Sequence, residues 1–556
     1  MTSEHDVLFC PPLNGKQPVL LASRVTSVTD TASILPDVPS LTSEQQVAAD
    51  HFIQCWQQAG VSRYNRYRDT ENLPDVYILL IIQSGLALSV TRQMLLKAKQ
   101  LALAATGVVL VCHEQHAACR LAQANSEHSL TGVDLVQECP PQVHHGKLLA
   151  NARAVITANS WLGFEALLWR KTVYSFLPSF YLAATHYCGL SSDAAQTKAD
   201  NRLLGKLVWQ IFSDAKVVSA LVNGTLTHIG HDTRPEANNG FNTIIQALDW
   251  LAWQRKQRQR FAPELYAIGF NRIWRPVVKQ FLQGSTLRFV NNASQVPPAS
   301  HAISWGFKPL PALAPLVKLT RLEDGFLRSV GLGAQFVKPL SWVADSRGLY
   351  FDATAPSDLE NLLAQQQFSQ PLLQQATELI EQLNSSGISK YNTGSINWQR
   401  PATSKKVILV PGQVETDASI ARGAPGIKRN IELLKAVRQA NPDAWLIYKP
   451  HPDVLAGARA RGENEQQALD YCDQQVTDCS ITVMFGQVDE VHVLTSLAGF
   501  EALIRGLPVT CYGMPFYAGW GLTTDLHQCP RRGRPLTLQQ LVAATLLLYP
   551  LYVCRH

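Results

Sequence analysis

The sequence predicts an α/β protein of Rossmann-like domains arranged in tandem, and three observations carry that reading. Short apolar runs such as Ile78 to Ile82 and Leu446 to Tyr448 end at polar or proline positions, as buried parallel strands do. The chain repeats itself: Gly60-Val-Ser-Arg-Tyr-Asn65 echoes Gly387-Ile-Ser-Lys-Tyr-Asn392, and Ser160-Trp-Leu-Gly-Phe-Glu-Ala-Leu echoes Ser496-Leu-Ala-Gly-Phe-Glu-Ala-Leu. The offset stays near roughly 330 residues, as a duplicated module requires. Ionisable side chains gather where the apolar runs end, the edge at which open parallel sheets bind ligands.

The first copy occupies 1–245 and reads as an incomplete, degenerate module, mostly the nucleotide-side domain. Counting from Gln83 and Gln413, Ala87 falls opposite Asp417 and Gly85 opposite Glu415. Val108 to Gln115 takes the place of Trp445 to Pro452, so Lys449 and His451 have no partners there. The apolar pattern survives while ionisable groups are lost, as in a structural or interaction module. A helical connector, 246–264, follows. Within it Trp250 to Phe261 sets Arg and Lys beside tryptophans, which reads either as a solvated helix face or as a helix lying on a bilayer surface.

The second copy opens with a domain at 265–400. Leu287 to Val290 and Ala302 to Gly306 read as strands. The next strand, from Leu319, delivers Glu323 and Asp324 into a Gly-punctuated loop with Arg321 and Arg328 nearby. Adjacent carboxylates at a strand's end suit acid/base work, and equally suit a turn with a capping Asp. Ser341 to Asp345 and Gly348 to Asp352 look like a hairpin turning at Ser346-Arg-Gly. Leu359 to Gln366 and Pro371 to Ser385 read as helices. The last domain, 401–556, holds Gln413, Asp417 and the strand Leu446 to Tyr448, which Pro450 and Pro452 stop so that Lys449 and His451 sit at its edge. Thr495 and Ser496 follow another short strand and precede a helix expected near Gly499, where hydroxyls and N–H groups suit a phosphate. Glu501, in its first turn, is placed to meet ribose hydroxyls. A turn at Lys-Pro-His-Pro and a helix cap at Ser496 are the structural readings of the same residues. Two such domains facing across a cleft make a GT-B-like architecture.

Composition bounds the function. A length of 556 residues is too great for one core. Net charge of +6 fits acidic small substrates or an anionic surface, and no aromatic-plus-basic strand motif points to nucleic acid. The 11 cysteines lack paired spacings, so neither zinc nor a disulfide framework is expected and reduced thiols in a cytoplasmic protein are the simplest account. Met1 to Asp6 lacks the features of a signal peptide, and Leu541 to Leu548 is too short to span a bilayer.

Arg321-Leu-Glu-Asp-Gly-Phe-Leu-Arg-Ser329, Ile-Ser-Lys-Tyr-Asn, Lys-Pro-His-Pro-Asp-Val, Ser-x-x-Gly-Phe-Glu-Ala-Leu and Pro-Phe-Tyr-Ala-Gly-Trp-Gly-Leu-Thr occur here in order. Together they resemble the capsular polysaccharide biosynthesis proteins that are retaining β-Kdo transferases, strongly from Leu265 to about Tyr552. The resemblance implies CMP-Kdo as donor, a lipid-linked Kdo or glycan acceptor, no metal, and a place at the inner face of the inner membrane beside a capsule assembly or export complex. It implies Asp417 as nucleophile and Glu323 as acid/base, with Asp324 or Glu415 as substitutes. Lys449, His451, Thr495, Ser496 and Glu501 would hold the nucleotide, and Arg321, Arg328 and Gln413 the substrate. Two departures are visible: Pro411-Gly-Gln-Val stands where the family has Asp-Gln-Thr, and the chain stops where the family continues into further helix. The alternatives are a catalytically decayed assembly or export partner, and an enzyme using another CMP-activated acid such as a sialic acid.

Overall fold

The computed structural model describes residues 40–552, except 63–67, 70–71, 84, 114–134, 141–142, 180, 189–200, 213–244, scattered positions in 246–254, 329–336, 391–394 and 396. The opening hexapeptide, four positions at the start of the Trp250 to Phe261 stretch and the Tyr-Asn ends of the repeated motif lie outside the described residues. The chain divides into two compact units after Phe261.

In the first unit, strands β1 (Tyr77–Ile82), β2 (Val108–His113), β3 (Val136–Glu138), β4 (Ala154–Thr157), β5 (Thr172–Ser175) and β6 (His186–Tyr187) form a parallel sheet of order β3-β2-β1-β4-β5-β6. β1 is buried at every position, which is why its sequence is unbroken Tyr, Ile and Leu. Helix α1 (Ser43–Ala59) starts in a Thr42/Gln45 capping box and ends at Gly60, whose φ of 64° is the left-handed cap that glycine adopts without strain. Helices α2 (Leu88–Ala104) and α3 (Trp161–Leu168) complete the layers relevant below.

The second unit holds two six-stranded sheets. β7 (Glu264–Ile268), β8 (Thr286–Val290), β9 (His301–Trp305), β10 (Lys318–Asp324), β11 (Ser341–Asp345) and β18 (Pro550–Tyr552) make the first, of order β18-β11-β10-β9-β7-β8. β12 (Val407–Pro411), β13 (Trp445–Lys449), β14 (Gln474–Gln475), β15 (Glu490–Val493), β16 (Val509–Cys511) and β17 (Thr524–Asp525) make the second, entirely parallel, of order β14-β13-β12-β15-β16-β17. That is the strand order of the first unit. The last strand, β18 (Pro550–Tyr552), returns to the first sheet, antiparallel to β11. Two Rossmann-like sheets joined by a returning C-terminal segment give this unit a GT-B-like architecture.

The repeat seen in the sequence is repeated in bonding. Tyr77 pairs with Val108 as Val407 pairs with Trp445, and Val155 with Val173 as Val491 with Val509. Ser160 and Ser496 cap equivalent helices; in each copy a tyrosine hydroxyl, Tyr181 or Tyr517, donates to that serine's carbonyl. A Cβ at Gly163 or Gly499 would collide with that hydroxyl, which accounts for glycine in both.

The expected hairpin is absent: Gly348 to Asp352 forms turns, not a strand. Asp345 is the reason. Its carboxylate accepts from the N–H groups of Arg347 (2.9 Å), Gly348 (2.8 Å) and Asp358 (2.9 Å), folding the chain directly into helix α4 (Asp358–Gln365). β11 then takes β10 and β18 as its antiparallel neighbours. Helix α5 (Gln370–Ser386) leads into the linker to the second sheet.

A buried ion cluster ties α4 to the C-terminal segment. Glu360 accepts from Arg531 Nε (2.6 Å) and Arg532 Nε (2.8 Å), and Arg532 also donates to the carbonyls of Pro515 and Ala518. Removing one member of such a group leaves a buried charge uncompensated. Glu360→Ala is therefore expected to lower unfolding free energy by about 3–5 kcal/mol in urea titrations.

Candidate active site

A cleft of about 1090 Å³ in the second unit is lined from both of its sheets. From the first sheet come Phe270, Trp274, Trp305, Glu323, Asp324 and Arg328; from the second, Gln413, Asp417, Lys449, His451, Thr495 and Ser496. Glu501 also lines it, while Arg321 is not among the lining residues. Arg321 donates to the Gly306 carbonyl (2.6 Å) and lies over the Phe307 ring, so it braces the β9–β10 edge.

Glu323 and Asp324 end β10, but their surroundings differ. Arg328, itself buried, donates to Asp324 (2.7 Å) and to the Val337 carbonyl (3.1 Å), fixing Asp324 as one half of an ion pair. Glu323 gains one N–H, from Asp324 (3.1 Å). Burial first, then the Asp324 charge, pushes its carboxyl up from 4.5 to about 7, against the opposing pull of Lys390. That value suits a group that must both release and accept a proton near neutrality.

This raised carboxyl predicts a stability effect with a definite sign. The folded state keeps the Glu323 proton through a range where the unfolded chain has released it, so stability is lost as pH rises from about 4.5 to about 7. Glu323→Gln is expected to melt with wild type at pH 4.5 and progressively above it by pH 7.5, with the gap constant thereafter.

Asp417 sits across the cleft at the N-terminus of α6 (Ala418–Gly423). One oxygen accepts from the Ser419 N–H (2.8 Å), and the residue is exposed. Ala87 holds the corresponding place in the first unit with nearly the same backbone, φ −65° and ψ 146° against −69° and 142°, and makes no side-chain cap bond. The loop before Asp417 is tied down by Gln413, whose amide oxygen accepts from Thr495 N (2.9 Å) and whose NH₂ donates to the Thr495 hydroxyl (3.1 Å). Gln413 thus positions Thr495. Glu415 lies outside the lining; its oxygens accept from the N–H groups of Asn430 (2.8 Å) and Glu463 (3.0 Å), so it anchors a loop.

Lys449 closes β13, and burial pushes its pKa down while Cys479 and Asp478 oppose the shift. His451 caps the short helix α7 (Pro452–Leu455) by accepting the Asp453 N–H on Nδ1 (3.1 Å). Burial lowers its pKa, with Asp453 as the largest opposing influence. A neutral ring accepting on Nδ1 carries its proton on Nε2. The His451 Nε2–H is thus available to donate, and the Lys449 ammonium lines the same cleft.

Helix α8 (Leu497–Ile504) begins earlier than the expected Gly499, with Ser496 as its N-cap accepting from Ala498 N (3.2 Å). Glu501 consequently falls in the second turn, where one oxygen accepts the Lys390 N–H (2.7 Å). The first unit repeats this device: buried Glu165 accepts from the Ser62 hydroxyl (2.6 Å) of the matching motif.

Lys390, Tyr350 and the aromatic side chains Phe270, Trp274 and Trp305 also line the cleft, and none of them was expected there from the sequence. One signal for Lys390 was available: the motif carries a basic residue in both copies, Arg63 and Lys390. Among the described residues no cluster of three or more His, Cys, Asp or Glu could hold a metal, and no helix is long and apolar enough to cross a membrane.

The family described as "Capsule polysaccharide biosynthesis protein" matches residues 312–552. The chain is 39% identical over 427 residues to the capsule polysaccharide modification protein LipA of Neisseria meningitidis serogroup A, covering 73% of this chain and 58% of LipA. It thus spans little more than half the length of that relative. Among solved structures it is similar to the beta Kdo 2,7 transferase of Thermosulfurimonas dismutans KpsC (41% identity, 52% of this chain, 92% of that one, TM-score 0.44). It is also similar to the beta Kdo 2,4 transferase of the same protein (32% identity, 53% and 93%, TM-score 0.47). The matched region contains the five motifs and the cleft residues from Glu323 onward: the chain belongs to the capsule polysaccharide biosynthesis family.

Proposed function

We propose that the second unit is a retaining β-Kdo transferase that moves Kdo from CMP-Kdo to a lipid-linked Kdo or glycan acceptor in capsule biosynthesis. The observation that carries this is the cleft itself, with a carboxylate from each side, Asp417 and Glu323, and an anion cradle of Lys449, His451 and Ser496 beside Asp417. Family membership supplies the sugar class.

In the first step an Asp417 oxygen attacks the anomeric carbon of Kdo. The bond from that carbon to the phosphate oxygen breaks, and its electron pair leaves with CMP. Lys449, the His451 Nε2–H, the Ser496 hydroxyl and the α8 N-terminus receive the charge that develops on the phosphate, an effect commonly worth several kcal/mol. In the second step an acceptor hydroxyl attacks the same carbon and gives its proton to Glu323, while the bond to Asp417 breaks. Two inversions return the starting configuration. A nucleoside monophosphate leaves without protonation, so Glu323 is needed on the acceptor side only, as a base. Catalysis by these side chains without a metal belongs to the same proposal.

The first unit is read as a non-catalytic copy. Its sheet is intact, but Ala87 stands for Asp417 and Cys112 for Lys449. A position at the inner face of the inner membrane, in company with capsule assembly or export proteins and without nucleic acid, follows from the acceptor and is part of the proposal. The test is incubation with CMP-Kdo and a Kdo-primed lipid acceptor. CMP release matched by an elongated acceptor supports the reading; CMP binding without product contradicts it.

A further inference from the structure

Lys390 lies on the segment that leaves α5 and crosses to the second sheet, and its side chain lines the cleft with Glu323 and Asp417. The segment, and the end of α5 before it, are bonded to α8 and its C-cap Arg505. Glu501 accepts the Lys390 N–H (2.7 Å), Arg505 donates to the Ile388 carbonyl (2.8 Å), and Asn384 donates to the Ile504 carbonyl (3.1 Å). Glu501 is buried, so the bond that fixes the Lys390 backbone is anchored from the interior. The Lys390 charge reaches Glu323, His451 and Tyr350, and the Asp417 charge reaches the same three groups. Lys390 therefore lines the same cleft as the two carboxylates and comes from a different element than the lysine at the end of β13.

That placement answers a problem set by the proposed chemistry. In CMP-Kdo the carbon under attack carries a carboxylate as well as the phosphate. A nucleophilic carboxylate approaching it meets like charge at van der Waals range, and a second carboxylate, Glu323, waits on the other side. Lys449 and His451 belong to the phosphate cradle and are engaged by the leaving group. A further cation is required for the sugar's own acid group, between the nucleophile and the base.

We propose that Lys390 receives the carboxylate borne on the anomeric carbon of the donor, and that Glu501 is the positioning residue that mounts Lys390 for it. This rests on the transferase reading above. It replaces the ribose role expected for Glu501, and it makes Lys390 the residue that selects acidic sugars over neutral ones.

The test measures CMP affinity by calorimetry and steady-state turnover of CMP-Kdo for wild type, Lys390→Met, Lys390→Arg and Glu501→Ala. Expected for Lys390→Met is CMP affinity within about threefold of wild type, with kcat/KM for CMP-Kdo down about 100-fold. Lys390→Arg, which keeps a cation, recovers at least about tenfold of that loss. Glu501→Ala follows Lys390→Met; if Glu501 held the ribose instead, CMP affinity itself would fall. A second readout is the pH profile. Loss of the Lys390 charge moves the Glu323 limb of kcat/KM for the acceptor above about 7, a displacement that a merely structural role would not give. Wild-type kinetics and pH profile in Lys390→Met overturn the inference and leave the transferase reading standing. A wild-type protein that binds CMP but does not turn over CMP-Kdo overturns both, and the wild-type arm separates the two failures.

Discussion

Asp417→Asn is expected to reduce Kdo transfer by about ten-thousand-fold, because the covalent bond of the proposed first step is made by this carboxylate. The choice of Asn over Ala matters. Asp417 also caps α6 through Ser419, and losing a cap costs about 1 kcal/mol. That is a modest share of the roughly 5–15 kcal/mol that holds a domain folded. Asn keeps an oxygen for the Ser419 N–H, so the fold and the CMP cradle stay in place while the nucleophile is gone. CMP affinity measured beside turnover should be unchanged within about threefold. A variant that keeps a tenth or more of wild-type transfer would remove Asp417 from the mechanism.

Glu323→Gln should fall by about 10²- to 10⁴-fold in turnover, the usual worth of a positioned general base. Its failure differs in kind from that of Asp417→Asn. Glu323 acts on the acceptor hydroxyl, so the first step survives and the variant releases one equivalent of CMP before stalling. Asp417→Asn releases none. In wild type the limb of kcat/KM for the acceptor that Glu323 governs rises through pH about 7 as the carboxylate forms; in Glu323→Gln that limb is absent. Rapid-quench measurement of CMP against enzyme concentration distinguishes the two variants directly.

Much of the fold was legible because its signals are local and repeated. β1, β12 and β13 are continuous apolar runs, and the bonds around Ser160 and Ser496 reproduce a repeat already plain in the residues. The hairpin expected at Gly348 was a misreading of local pattern, since three N–H groups converging on Asp345 turn the chain toward α4 instead. Candidate residues at strand ends, Glu323, Lys449 and His451, are brought to the cleft because β10 and β13 end there. Glu415, Gln413 and Glu501 carry the right chemistry, yet hydrogen bonds to the protein's own backbone or to Thr495 occupy them. Such bonds are invisible in sequence, being set by loops far away along the chain. Lys390 escaped notice for a related reason: it reaches the cleft through the course of a linker pinned to a helix more than a hundred residues later.

The central claim is a covalent sugar–enzyme species on Asp417, and intact mass spectrometry of Glu323→Gln mixed with CMP-Kdo in the presence of acceptor tests it most directly. The account predicts a stoichiometric mass increase equal to one dehydrated Kdo unit, mapping to the peptide that contains Asp417 and absent from the Asp417→Asn, Glu323→Gln double variant. Acceptor elongation without any such species, or an adduct that persists when Asp417 is replaced, would contradict it.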